Sequence, residues 1–243
     1  MGEWCQRPGR LTTILMVAIG SAGLDADHAI AQSIRPVVVE YREKARSKFE
    51  LVNDSLLPVR VVLEPKSFTI TAAGQAIFRD LDPRIRLRLS AMTLRIPAHQ
   101  SRWVFYEAET DSLPAWFTIY ATFTCDDRGD GLRVEVELPH TVYLLQKHPL
   151  EEADVRLTLL GQRGADPVMR VAVDNLGDRL GRVREAMVRA GGREVSLGGF
   201  PLTPHGRRIL EFRLPGNEAA GDLNLTFANF SRSLPLVMES VNR

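Results

Sequence analysis

Cysteine is nearly absent from this sequence: among 243 residues there are two, Cys5 and Cys125. The first lies in a leader-like N-terminal segment, so the remaining chain has no partner for Cys125 and no internal disulfide. An exported protein of this kind must draw its stability from a hydrophobic core and backbone pairing. Cys125 reads as a small buried residue on a strand face. A redox or lipidated role would need a second Cys nearby, or a Cys following the apolar run of the leader, and neither is present. Charge of one sign is also missing. Lys and Arg number 31 against 30 Asp and Glu, which excludes the strongly basic field of a nucleic-acid binder and gives no anionic-membrane signature. No HExxH, GxSxG, GxxxxGKS or GxGxxG is found, and His99, His140, His148 and His205 are scattered without metal-ligand spacing. Those histidines read as surface or turn residues. No pair of carboxylates stands out for acid–base work. Catalytic residues, metal ligands and cofactors are therefore assigned to none.

Long apolar runs are limited to one. Arg7 and Arg10 precede "LTTILMVAIGSAGL" (Leu11 to Leu24), and Ala29-Ile30-Ala31 supplies the small-x-small pattern of a cleavage site. Residues 1–31 thus read as a secretory signal peptide cut after Ala31. A retained membrane anchor is the alternative, opposed by the polar "DADH" and by the length of the run. Cleavage removes Arg7, Arg10, Glu3, Asp25 and Asp27 and leaves a mature chain of about +2, expected to be soluble.

What is present is period-two alternation. "SKFELVND", "VRVVLEP" and "RIRLRLS" each place apolar residues on one face and polar or charged residues on the other. "AWFTIYATFTC" is the clearest case, and "LRVEVEL" answers it across "DDRGDG", so the two form a hairpin. "QKHPLEEAD" (Gln146 to Asp154) interrupts the pattern and reads as a linker. Beyond it "DVRLTLL", "VMRVAVDN", "RVREAMVRAGG", "RILEFRL", "DLNLTFANF" and "SLPLVM" repeat the same grammar. No long amphipathic helix fits anywhere. The expected fold class is all-β, two β-sandwiches in series. The arginines on strand faces read as solvated outer faces, with a basic binding face as the alternative. "RGD" (Arg128-Gly129-Asp130) falls at a hairpin tip, where Gly and Asp are favoured anyway. "DDRGDGLRVEVE" echoes a calcium loop, but Arg128 takes the place of an oxygen ligand.

Several motifs in order carry a resemblance. They are "SIRPVVVEY", "FELVNDSLLPVRVVLEP", "LLQKHP", "VAVDNLG" and "GGFPLTPHGRR", spread over residues 33–240. In this sequence of motifs the chain resembles the periplasmic pilus-assembly chaperones, the PapD-like family. The resemblance implies two immunoglobulin-like domains in an L-shaped arrangement, residues 32–148 and 149–243. It implies a periplasmic, ATP-independent chaperone of fimbrium biogenesis. Such a protein binds secreted pilus or fimbrial subunits by β-augmentation, with an outer-membrane usher as a further partner. A subunit lacking its last strand exposes a groove, and the chaperone's last first-domain strand fills it. By that resemblance the donor side chains are Leu132, Val134, Val136 and Leu138. The family also holds the subunit's terminal carboxylate with a basic pair in the interdomain cleft. Candidates here are Arg35, which lies about two residues early, Lys147 and His140; the family's lysine position is Leu144, and Pro139 removes a donor from the strand. The alternative reading is a two-domain binding or structural module of an envelope complex that donates no strand. The two differ in whether Val134, Val136 and Leu138 face solvent or their own core.

Overall fold

Alternating sequence becomes paired strand throughout the computed structural model, which describes residues 32–125, 135–163, 168–218 and 220–237. Residues 1–31, read above as a signal peptide, the expected hairpin tip with its RGD and calcium-like pattern, and the proposed donor positions Leu132 and Val134 lie outside these residues.

The first half contains β1 (Gln32–Arg35), β2 (Val38–Arg42), β3 (Lys44–Asn53), β4 (Val59–Ile70), β5 (Ala76–Asp80), β6 (Ile85–Leu89), β7 (Thr93–Ile96), β8 (Gln100–Thr110), β9 (Ala115–Cys125) and β10 (Glu135–Leu145). One sheet runs β1-β3-β8-β6 and the other β2-β10-β9-β4-β5, with β7 also on β4. Their inner faces meet in a core that includes Phe49, Leu51, Val61, Leu63, Phe117, Ile119, Phe123, Val142 and Leu144. The alternation of β9 and β10 produces the expected antiparallel hairpin, from Glu135 opposite Thr124 to Leu144 opposite Ala115. Cys125 is a free thiol at the end of β9, part-exposed rather than fully buried, and packs at the core margin.

The second half contains β11 (Val155–Arg163), β12 (Val168–Asn175), β13 (Gly181–Val183), β14 (Glu185–Ala190), β15 (Arg193–Ser196), β16 (Phe200–Leu202), β17 (Arg207–Phe212), β18 (Ala220–Thr226) and β19 (Ser231–Val237). Its sheets run β11-β12-β17, β13-β16 and β15-β14-β18-β19. They enclose a second core around Met169, Val171, Val173, Val183, Val188, Leu202, Leu223 and Leu225. Within "RVREAMVRA" the backbone is extended, divided between β13 and β14. The linker carries only a short 3₁₀ turn, Glu152–Asp154. The described residues of both halves belong to one compact body.

In the first sandwich Pro65 and Pro139 sit inside strands without breaking them, for a reason that parity explains. Thr141 N–H donates to the Val37 carbonyl at 2.7 Å, on the β2 side of β10. Backbone groups of successive residues point to opposite edges, so Pro139 also turns its nitrogen to that side, away from β9. By the same alternation Ile119 bonds His140 and not Pro65. The Pro65 nitrogen shares the side of Leu63 N–H, which donates to Met92 at 2.8 Å. It falls between the stretch of β4 paired with β7 (Val59 to Val62) and the stretch paired with β5 (from Lys66).

Each half is locked by one buried asparagine. The Asn53 amide nitrogen lies 2.9, 3.2 and 3.0 Å from the carbonyls of Leu57, Ile96 and Pro97, and its oxygen accepts from Ser55 N–H. Asn175 repeats this with the carbonyls of Arg179, Leu202 and Thr203 and with Gly177 N–H. Both residues are nearly inaccessible to solvent. Removing either amide strands several loop carbonyls, each costing about 1–3 kcal/mol when left unpaired in the interior. Asn53→Ala and Asn175→Ala are therefore each expected to lower stability by roughly 2–4 kcal/mol in urea unfolding, against a smaller change for part-exposed Asn224→Ala, whose amide donates to Ser233 Oγ.

Candidate functional site

The site is built on β10. This strand pairs with β9 along its whole described length, but on its other edge β2 covers only Thr141 to Leu145, in parallel register from Thr141 opposite Val38. Among the described residues no strand pairs with Val136 to His140 on that edge. The parity set by Thr141 places the N–H and C=O of Glu137, and the C=O of Pro139, along this open margin.

Side chains follow the same alternation. Val136, Leu138, His140, Val142 and Leu144 turn toward the core. Leu144, Val142 and His140 are fully enclosed, whereas Leu138 and Val136 are part-exposed and touch the core from its rim. Burial thus fades where β2 stops. The two described donor candidates are neither free in solvent nor sealed inside.

His140 is a core residue, not a cleft or surface one. Its ring stacks on Phe49 with centroids 4.6 Å apart. Nδ1 stands 2.6 Å from the Pro36 carbonyl and must donate to it, which leaves Nε2 to accept from the Tyr106 hydroxyl at 3.2 Å. The Tyr106 oxygen lies 3.3 Å from that of Tyr41. Desolvation pushes the His140 pKa below its ordinary value, and the bond to Pro36 opposes this only in part. Pro36 marks the point where the first strand leaves one sheet for the other. His140 therefore pins that crossover next to the margin.

A second feature is a cavity of about 640 Å³ between the two sandwiches, lined by β2, the end of β10 and residues of the second half. Its basic residues are Arg42, Arg182 and Arg184; Arg182 pairs with Glu40 at 3.6 Å. None of the three sequence candidates for a cleft cation lines it. Arg35 lies opposite Glu50 on β1, in the other sheet. Lys147 is exposed in the bend after β10, and His140 is in the core. Leu144, at the family's lysine position, is fully buried. Gln146 bridges the halves instead: its Nε2 donates to the Leu180 carbonyl at 3.0 Å, and Leu180 N–H donates to its Oε1 at 3.2 Å. Neither Gln146 nor the three arginines stood out in the sequence, because alternation identifies faces but not which residues of two separate sandwiches meet.

Among the described residues no cluster of three or more His, Cys, Asp or Glu is placed to hold a metal, and no helix is long and apolar enough to cross a membrane.

No family model matches the chain, and no curated protein matches it by sequence. Solved structures do match. The YadV chaperone aligns with a TM-score of 0.56 at 10% identity, over 85% of this chain and 100% of that one. A chain from the complex of the Salmonella enterica SafA pilin with the SafB chaperone gives 0.54 at 12% identity, over 85% and 96%. The Pseudomonas aeruginosa CupB2 chaperone gives 0.51 at 12% identity, over 85% and 100%. The chain shares the all-β, two-sandwich fold of these chaperones. The proteins that share it here are described as chaperones rather than enzymes.

The buried imidazole gives a prediction with a definite sign. The unfolded chain takes up a proton at the ordinary histidine pKa of about 6.5, and the folded chain resists until lower pH. Stability should therefore fall as pH drops below about 6.5. His140→Gln, which retains a donor for Pro36, should flatten this slope in urea unfolding between pH 7.5 and 5. An unchanged slope in the variant would assign the acid sensitivity to other groups.

Proposed function

We propose that this protein is a periplasmic, ATP-independent chaperone that holds secreted pilus or fimbrial-type subunits by adding its β10 margin to their open sheet edge. The observation that carries the reading is the stretch Val136 to His140, paired on one edge only among the described residues. The SafB chaperone was solved with a pilin, and another chaperone of this fold, CsuC, with a tip subunit. An outer-membrane usher would receive the subunit.

Magnitudes decide how such a contact must work. Backbone bonds contribute only about 0.5–1.5 kcal/mol each net of water, and Pro139 offers an acceptor without a donor. A few such bonds give register rather than affinity. Most of the affinity has to come from apolar burial at roughly 25 cal/mol per Å². Val136 and Leu138 can supply part of it, because each still has surface to cover; Val134 and Leu132 would extend the row. The proposed cleft contribution shifts from Arg35, Lys147 and His140 to the residues that line the cavity, Arg42 and Arg184 first. A second reading, a two-sandwich module of an envelope complex without strand donation, is favoured by the contact that Val136 and Leu138 make with their own core.

Glu137→Pro separates the two. It deletes an N–H that faces the margin and leaves the β9 ladder untouched, just as native Pro139 does. Co-expressed with candidate pilus-type subunits from the same genome, the wild type should purify as a stable complex. Glu137→Pro and Leu138→Asp should lose it while Glu137→Pro keeps the wild-type unfolding midpoint to within about 1 kcal/mol. Complexes that survive both substitutions would favour the module reading.

A further inference from the structure

The sheet β1-β3-β8-β6 is the one that does not contain β10, and its outer face is basic and aromatic. Alternation around buried Val104 and Tyr106 sends Trp103 and Phe105 of β8 outward, where they are 47% and 57% exposed. The neighbouring strands place basic residues beside them. On β3, Lys48 stands opposite Phe105, Arg46 opposite Glu107 and Lys44 opposite Glu109. On β6, Arg88 stands opposite Glu107 and Arg86 opposite Glu109. Arg86 and Arg88 are the arginines of "RIRLRLS", so the charged positions of that stretch form one side of this face.

Two adjoining open depressions, of about 310 and 820 Å³, share Arg46, Arg88 and Glu107 and together make a shallow trough. From the row of Lys44 to the row of Glu50 and Trp103 it follows β3 for roughly 20 Å at the rise of a strand. Its charges do not balance: Lys44, Arg46, Lys48, Arg86 and Arg88 line it against Glu107 and Glu109. Arg46 pairs with Glu107 at 3.0 Å and Arg86 with Glu109 at 3.1 Å. Among the described residues no carboxylate pairs with Lys44 or Arg88. Lys48 lies over the aromatic rings, its Nζ 4.1 Å from the centre of Trp103 and 5.9 Å from that of Phe105. A single exposed aromatic needs no explanation. Two on one face, steadied by a cation and continuous with unpaired ones, form a platform for a ligand.

We propose that this trough binds an acidic polysaccharide of low charge density. Sugar rings carry C–H faces that stack on Phe105 and Trp103. Their hydroxyls can donate to Glu107 and Glu109, and their widely spaced acid groups match Lys44 and Arg88. The long, open shape suits an extended chain and gives a compact ligand little enclosure. The interleaved glutamates oppose a nucleic acid, in which every residue carries a charge. An anionic bilayer would have to cover the same glutamates with headgroups of like charge. The assignment does not rest on strand addition, because β10 belongs to the other sheet.

Calorimetric titration of the purified chain with a hyaluronan octasaccharide, neutral chitohexaose, an oligothymidylate of matching length and phosphatidylglycerol vesicles tests this. Saturable binding of hyaluronan is expected, with at least about tenfold weaker binding of the other three. Combined Trp103→Ala and Phe105→Ala should weaken hyaluronan binding by at least about tenfold. Combined Lys44→Gln and Arg88→Gln should remove the preference over chitohexaose. All four side chains are exposed, so the urea midpoints should stay near wild type; Phe105→Ala alone is read should the double alanine variant not fold. Arg60→Gln, an exposed change on the other sheet, and Glu137→Pro should bind hyaluronan as the wild type does. Absence of saturable hyaluronan binding overturns the proposal. So does equal affinity for chitohexaose, unchanged affinity in the aromatic variants, an equal loss in Arg60→Gln, or a preference for the oligothymidylate or the vesicles, which would reassign the face to a nucleic acid or a membrane.

Discussion

The division of the first strand between two sheets is the constraint on which the rest of this structure depends. Residues 32–35 pair with β3, and residues 38–42 pair with β10 on the opposite sheet. Spending the segment in this way closes the sandwich at one end and leaves β10 half covered. The crossover is held from both sides, by Thr141 N–H on the Val37 carbonyl and by the His140 ring on the Pro36 carbonyl. Had β2 begun a few residues earlier along β10, Glu137 and Pro139 would be internal ladder positions, and the open margin would not exist. The length of that margin is therefore set by residues outside it.

Rigidity on either side comes from a duplicated device. Asn53 and Asn175 close equivalent loops in the two sandwiches with the same set of carbonyl contacts. Between the sandwiches the contact has a different character: a reciprocal Gln146–Leu180 pair, and a small cluster of Phe68, Tyr143 and Leu180. Tyr143 belongs to β10 itself. The strand that presents the margin at one end thus contacts the second sandwich at the other, and Tyr143 lines the cavity between the two.

How much of this was legible follows from what alternation encodes. A period of two reveals which residues share a face, so the strands of β3, β4, β6, β9 and β10 and the β9–β10 hairpin could be read directly. It does not reveal which edge a strand pairs with. The parallel pairing of β2 with β10 therefore left no trace in "SIRPVVVEY", although it determines the candidate site. His140 read as polar and superficial, because the sequence offers no sign that Phe49, Tyr106 and the Pro36 carbonyl would enclose it. The arginines of the cavity between the sandwiches are spread over Arg42, Arg182 and Arg184. No local motif could gather residues so far apart, and the order of family-like motifs pointed to Arg35 and Lys147, which lie elsewhere.

Pro139 and the glutamates give the margin its particular character. An unguarded strand edge recruits any other edge, including that of a second copy. Here alternation sends the Glu137 side chain to the outer face of the sheet, beside the edge rather than across it, while Pro139 withdraws one donor. An approaching strand finds full pairing only on the N-terminal side of Pro139, where Val136 lies and where Val134 precedes it in the chain. Self-association in an extended register would have to cross the proline and would lose a bond there; a partner ending near it would lose nothing. The residue that spoils the strand as an extended template thus favours short, register-specific pairing over indiscriminate sheet growth. That preference is compatible with the core, because the missing N–H lies on the only edge where the native fold does not use it.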